Sequence, residues 1–182
     1  ASTLSELSTV ELDRTVTILG QLAEEGQTKY FDARDLWQLT PEGKELHAIE
    51  IVDAAVRHGT GLREHYGAFL ELNTRLKELC TVWQTRNGET NDHTDAAYDG
   101  ARLDELNQFN VECAPVLDGF AAVVPRFGAY RHRLTGASAR ALNGETKMFT
   151  GVMCGSFHDI WMELHEDLIQ LLSIDRGAEG SY

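Results

Sequence analysis

The 182 residues suit one compact domain, or a helical domain with a small appendage, and 42% hydrophobic with 25% charged side chains is an ordinary globular composition. No apolar run approaches the roughly 20 residues needed to cross a bilayer. The start, Ala1-Ser-Thr-Leu-Ser-Glu-Leu7, has neither a basic n-region nor a long apolar stretch, so no secretory signal is expected. The net charge of −13 offers few cations to displace phosphate counterions or to meet acidic lipids, so nucleic acid and membrane are disfavoured as partners. Cys80, Cys113 and Cys154 are odd in number, widely spaced and set in helical patterns. They read as reduced, mostly buried thiols of a cytoplasmic protein, not as a disulfide framework or a zinc site.

Residues 1–46 read as an incomplete winged-helix-like segment. A helix is predicted from about Thr9 to Glu25, with Val10, Leu12, Val16, Leu19 and Leu22 toward a core and Gly26 as its stop. Thr28-Lys-Tyr-Phe31 and Leu36-Trp-Gln-Leu39 flank the polar Asp32-Ala-Arg-Asp35 and predict a β-hairpin. Thr40 is the expected N-cap of the next helix, with Pro41 at its first position. The order helix, glycine, hairpin and "Leu-Thr-Pro-Glu-Gly-Lys-Glu-Leu" resembles the recognition helix, wing and following helix of MarR- or PadR-type regulators. A complete module would need another helix upstream, of which at most Leu4 to Leu7 remains. The resemblance implies DNA binding; the other reading is a winged helix used for packing or protein contact. Nine acidic side chains against Arg14, Lys29, Arg34 and Lys44 favour the second, because a groove reader presents a basic surface.

Residues 47–175 read as a helical bundle domain and 176–182 as a flexible tail. Helices are expected at about 42–58, 61–86, 99–123, 126–143 and 152–173. Gly59-Thr-Gly61 separates the first pair, Pro125 parts the third from the fourth, and Pro115 kinks or breaks its helix. The expected fold class is all-α, an antiparallel helical bundle with one small N-terminal β-hairpin.

Three regions carry groups able to do chemistry. In the last helix, Phe157, Trp161, Leu164, Leu168 and Leu171 mark the inward face, with His158, Met162, His165 and Ile169 on its shoulder. The loop Asn87–Tyr98 is long for a bundle connection and holds Asn91, Asp92, His93, Asp95 and Tyr98; Asx-turns and an N-cap would account for the aspartates without a ligand. The basic helix from Arg126 places Arg126, Tyr130 and Arg133 on one face, suited to a carboxylate or phosphate, or to ion pairs with acidic neighbours. His158, His165 and His93 are therefore the candidate acid–base groups. Arg126, Tyr130, Arg133, Tyr98, Asp92, Trp161 and Glu163 are the candidate substrate-binding groups. No Glu-x-x-His of a di-metal bundle occurs, and His158 and His165 are about 10 Å apart along a helix, too far to share one ion, so neither a metal site nor a cofactor is expected.

Four segments, Thr81-Val-Trp-Gln84, Asn91-Asp-His-Thr-Asp-Ala-Ala-Tyr-Asp99, Pro125-Arg-Phe-Gly-Ala-Tyr-Arg-His-Arg-Leu134 and Ser156-Phe-His-Asp-Ile-Trp-Met-Glu-Leu-His-Glu-Asp-Leu-Ile169, look like an actinobacterial helical module. It is similar to the C-terminal region of some pyruvate,phosphate dikinase-like, phosphoenolpyruvate-utilising proteins, over most of residues 36–173. The dikinase signature Gly-Gly-x-x-Ser-His-Ala is absent, so the resemblance implies neither kinase activity nor phosphotransfer. It implies that the polar segments form one site, and it suggests a PEP-utilising protein, beside a homodimer, as a partner. The leading expectation is a small-molecule-binding domain for an anionic metabolite, acting as a sensor or a cofactor-free acid–base enzyme. A MarR-like regulator and a protein-docking domain are the alternatives.

Overall fold

Thr28 to Leu39 sets two short runs carrying Tyr30, Phe31 and Trp37 around a polar turn, and it folds accordingly. The computed structural model describes residues 1–175 and 177, so the expected flexible tail falls, Gly177 apart, outside the described residues. Two units are distinguished, Ala1–Gly59 and Thr60–Tyr182. In the first, β1 (Thr28–Phe31) and β2 (Leu36–Leu39) pair antiparallel with Thr28 opposite Leu39 and Tyr30 opposite Trp37. The two rings lie 5.1 Å apart.

Two helices precede the hairpin. α1 (Ser2–Ser8) ends at Thr9, whose φ of 55° is left-handed, and α2 (Leu12–Glu24) begins three residues later than Thr9, the predicted start. Thr15 and Leu19 form the buried stripe of α2, whereas Leu12 and Val16, expected inside, are 46% and 50% exposed. The inward stripe is therefore rotated about one residue from the apolar one, and the Thr28 hydroxyl, which donates to the Leu19 carbonyl at 3.3 Å, holds it there. Gly26 stops α2 with φ 76°, as its position suggested. α3 (Pro41–Gln84) is capped by Thr40, whose Oγ1 accepts from the Gly43 amide at 3.0 Å and donates to the Gly26 carbonyl at 2.6 Å. Gly43 lies directly against the Gln27 carbonyl, where a Cβ has no room.

The 44 residues of α3 run unbroken through Gly59-Thr-Gly61, contrary to the predicted separation. An isolated helical glycine costs only about 1 kcal/mol, and Gly61 answers a packing need: a Cβ there would stand 3.0 Å from Val123. In the second unit the buried residues of α3 are Leu62, Tyr66, Phe69, Asn73, Leu76, Cys80 and Trp83, with Leu72 beside them. Their alternating four- and three-residue steps are the seam of a supercoiled bundle. The partners along that seam are α4 (Ala96–Val123) and α7 (Phe157–Leu172); α5 (Gly128–Leu142) packs against both of those helices, and the four-residue α6 (Lys147–Thr150) precedes α7.

Pair contacts give the direction of each helix. Gly61 meets Val123, Arg75 meets Glu112, and Tyr98 meets Val82, so α3 and α4 are antiparallel. Asp118 with Arg131 and Asn110 with Thr135 do the same for α4 and α5. Arg126, in the 3-10 turn Pro125–Phe127 that leads into α5, with Asp167, and Arg133 with Glu163 do so for α5 and α7, and Arg63 with Leu172 and Asn73 with Trp161 for α3 and α7. The fold is all-α, an up-down-up-down antiparallel bundle preceded by one hairpin, as expected.

Three local expectations change. Pro115 does not interrupt α4, because Pro115 and Val111 (67% exposed) face water, which can satisfy the carbonyl the proline leaves free. The long loop after α3 begins as a minimal hairpin, β3 (Thr85–Arg86) with β4 (Glu89–Thr90), turned by Asn87 and Gly88 at φ 54° and 83°. α7 starts at Phe157 instead of 152, since Ser156 caps it by accepting from the Asp159 amide at 3.1 Å. The Asp159 carboxylate in turn accepts from the Cys154 and Gly155 amides.

Two helical glycines should respond oppositely to alanine. A Cβ at Gly119 would come within 2.6 Å of the His65 ring, which packs edge-on against Phe120. Gly136 is exposed and open. Gly119→Ala is expected to lose about 1–2 kcal/mol and Gly136→Ala to gain up to about 1 kcal/mol, both read by urea unfolding.

Candidate functional site

The polar groups expected to form one site fall into three separate clusters. The first lies where α3 ends and α4 begins. Asp95 caps α4 by accepting from the Ala97 and Tyr98 amides, and Asp92 closes an Asx-turn on the Thr94 amide and hydroxyl. Between them, Asn91 is 6% exposed and spends its side chain on the chain itself. Its Nδ2 donates to the Trp83 carbonyl and to Asp99 Oδ1, each at 3.0 Å, and its Oδ1 accepts from the His93 amide at 3.3 Å.

His93 completes this network from a left-handed backbone, φ 56°. Its ring lies 4.4 Å from Trp83, and Nδ1 stands 3.0 Å from Asp99 Oδ2. The Asp99 carboxylate can only accept, and both Asn91 Nδ2 hydrogens go to Trp83 and Asp99, so the arrangement assigns a proton to His93 Nδ1, which donates to Asp99. A carboxylate-oriented imidazole has the geometry of a base with its orienting partner. The same bonds also lock the α3–α4 connection. Tyr98 serves that lock as well: its hydroxyl donates to the Val82 carbonyl at 2.6 Å, and Arg86 and Arg102 cover its ring at 4.7 and 5.2 Å. Asp92 points to its own turn and not into a cavity.

The second cluster is the seam between α5 and α7. Arg126 grips Asp167 with both terminal nitrogens, Nη2 donating to Oδ1 at 2.6 Å and Nη1 to Oδ2. The Tyr130 hydroxyl donates to the same Oδ2 at 2.9 Å, and Arg133 pairs with Glu163 at 2.7 Å. Of the two uses open to this face, ligand binding and ion pairing, the second is the one made. Burial, then the neighbouring Asp167 charge, raises the Tyr130 pKa, while the Asp167 hydrogen bond raises that of Arg126. The tyrosine is thereby held as a neutral donor.

The third cluster is in the core. His165 is 3% exposed, with Nε2 3.4 Å from the Tyr66 hydroxyl and its ring 5.1 Å from Phe69. Trp161 stacks on Phe69 at 5.0 Å and donates its Nε1 proton to Asn73 at 3.0 Å, so it is a core residue with a satisfied polar edge. His158 is half-buried one turn before Met162.

Convergence is thus limited. Trp83, under His93, is 17 residues along α3 from Tyr66, which touches His165; that is about 25 Å of helix. His93, Asp92 and Tyr98 belong to one end of the bundle, and Arg126, Tyr130, Arg133, Glu163 and His165 to the other half. Asp167, Asn73 and Tyr66 were missed as functional partners. Asn73 alone left a signal, being polar in an otherwise apolar seam. An open groove of about 330 Å³ lies between α3 and α4, with Arg75, Arg102 and Phe109 among its walls. Among the described residues, no group of three or more His, Cys, Asp or Glu is placed to hold a metal ion, and no helix is long and apolar enough to cross a membrane. Comparison with known proteins finds no matching family model, no similar curated protein and no similar solved structure.

The cysteines supply a measurable signature. Burial pushes the thiols of Cys80 and Cys113 from 9.0 up to about 12, while Cys154 is only half-buried. One equivalent of thiol should react with a disulfide reagent in the native protein and three after denaturation. Both buried groups have a raised folded pKa, so the stability they lend is complete below 9 and lost as pH climbs toward 12. The urea midpoint should therefore fall between about pH 9 and 11, and fall less in Cys113→Ala. Tyr130→Phe should cost about 1 kcal/mol, the hydrogen bond to Asp167, at neutral pH.

Proposed function

We propose that this chain is a protein-docking module, whose first unit offers an apolar surface to a protein partner while the bundle serves as its folded body. The observation that carries this reading is the first third of α3. From Lys44 to His58 no residue is buried, and Leu46, Ile49, Val52 and Val56 are 39%, 59%, 62% and 81% exposed. A bare helix of about 12–15 residues is marginal in water, because helices in proteins draw their stability from a packed face.

The rest of the first unit points the same way. Leu19 is its single buried hydrophobic side chain, and it holds twelve of the seventeen large hydrophobics that are exposed among the described residues. Contiguous exposed apolar surface marks interaction sites, and a unit of this size with so little core needs a partner to cover it. A metabolite pocket draws less support, since Arg126 and Arg133 are already neutralised by Asp167 and Glu163. Groove-reading of DNA draws less still, with Leu12, Val16 and Ile18 exposed on α2, where a recognition helix would carry its base-reading groups. Three unpaired cysteines favour a reducing compartment, the cytoplasm.

A photo-cross-linking p-benzoylphenylalanine in place of Val56 tests this in the producing cells. The expected result is a discrete protein–protein adduct, absent when the same group replaces the exposed Glu64 of the bundle. Equal yields, or no adduct at either position, would remove the docking reading.

A further inference from the structure

Resting on that docking reading, we propose that the occupant of the bare face of α3 is a second copy of this chain, with its own α3 running antiparallel. Glu45, Ile49, Val52 and Val56 follow one another at steps of four, three and four, so they line a single seam. A two-fold axis between Ile49 and Val52 sets each Ile49 against Val52 of the second copy. It also brings each Glu45 to the turn carrying Val56 and Arg57 of the other chain. Parallel pairing would instead stack Glu45 on Glu45 and Arg57 on Arg57.

Two further observations favour self-association over a partner of opposite charge. Over residues 44–57, Lys44 and Arg57 stand against Glu45, Glu50 and Asp53, a net of −1 in a chain of −13. This face is therefore close to neutral, and a basic partner would find its attraction elsewhere. Among the described residues no hydrogen bond or ion pair engages the side chain of Glu45 or of Arg57, so both are available to the pairing. The isologous form follows from the sequence itself: a seam with Glu45 at its start and Arg57 beside its last residue, Val56, is complementary to its own reverse.

Sedimentation velocity of the full chain, over roughly 1–200 µM, tests the inference. The expected result is a reversible monomer–dimer equilibrium, abolished by Val52→Asp in a protein whose circular dichroism and bundle unfolding are retained. Glu45→Arg and Arg57→Glu should each weaken the dimer about tenfold, since two symmetric pairs turn from attraction to repulsion, and the double variant should restore it. A wild-type monomer throughout, a dimer indifferent to Val52→Asp, or a double variant no better than the singles would each overturn the proposal. A monomer that still cross-links through Val56 to a different protein sinks the second copy and leaves the docking reading standing.

Discussion

An indole N–H removed from water must find an acceptor, and in this bundle it finds one on another helix. Trp161 is 1% exposed and Asn73 is 4% exposed, and their hydrogen bond spans 88 residues of sequence. Leaving either group unpaired in the core would cost about 1–3 kcal/mol. The bond therefore sets the register of α7 against α3 more sharply than apolar contact could, because leucines slide past one another at little cost and a buried amide does not. Phe69, one turn before Asn73, stacks on the same indole, and the tilted ring of Phe109 in α4 lies 5.4 Å from it. Three helices are thus referenced to one side chain.

The fourth helix is tied in by charge. α5 is basic and α7 is edged with acids, and their antiparallel contact sets Arg126 beside Asp167 and Arg133 beside Glu163. Exposed ion pairs are worth little, but Asp167 is 12% exposed and accepts from both Arg126 and Tyr130. Its carboxylate keeps its hydrogen bonds only in this register, so it is a specificity device as much as a stabilising one.

What could be read from the sequence, and what could not, divides along the range of the interactions involved. The Thr40 cap, the Gly26 stop and the strand pair around Asp32–Asp35 depend on neighbours within a few residues, and all three appear where local chemistry put them. Asn87-Gly88 is equally local, a strong turn signal inside a segment that otherwise reads as loop. The partners of the candidate site residues were of another kind. Nothing near Arg126 in sequence announces Asp167, 41 residues away, and His93 and His165 look alike on paper. One imidazole rests on an indole at the bundle's end and the other is buried beside a tyrosine, a difference made wholly by tertiary packing. The break offered as one outcome at Pro115 does not occur for a related reason, since the consequence of a missing N–H depends on whether its orphaned carbonyl meets protein or water.

The same chain distributes its apolar residues unequally, and the imbalance is physical information. In the bundle nearly every large hydrophobic is used, so that α7 buries Phe157, Ile160, Trp161, Leu164, Leu168, Ile169, Leu171 and Leu172 on almost all sides. Before Gly59 the residues are of comparable hydrophobicity but stand in water. Composition cannot register that contrast, because 42% hydrophobic content averages a saturated core with an empty one. Each exposed valine or isoleucine on α3 forgoes about 1.5–3 kcal/mol that full burial would return. α3 forgoes it at Ile49, Val52 and Val56 in succession, one stripe of the helix that its own fold leaves in water.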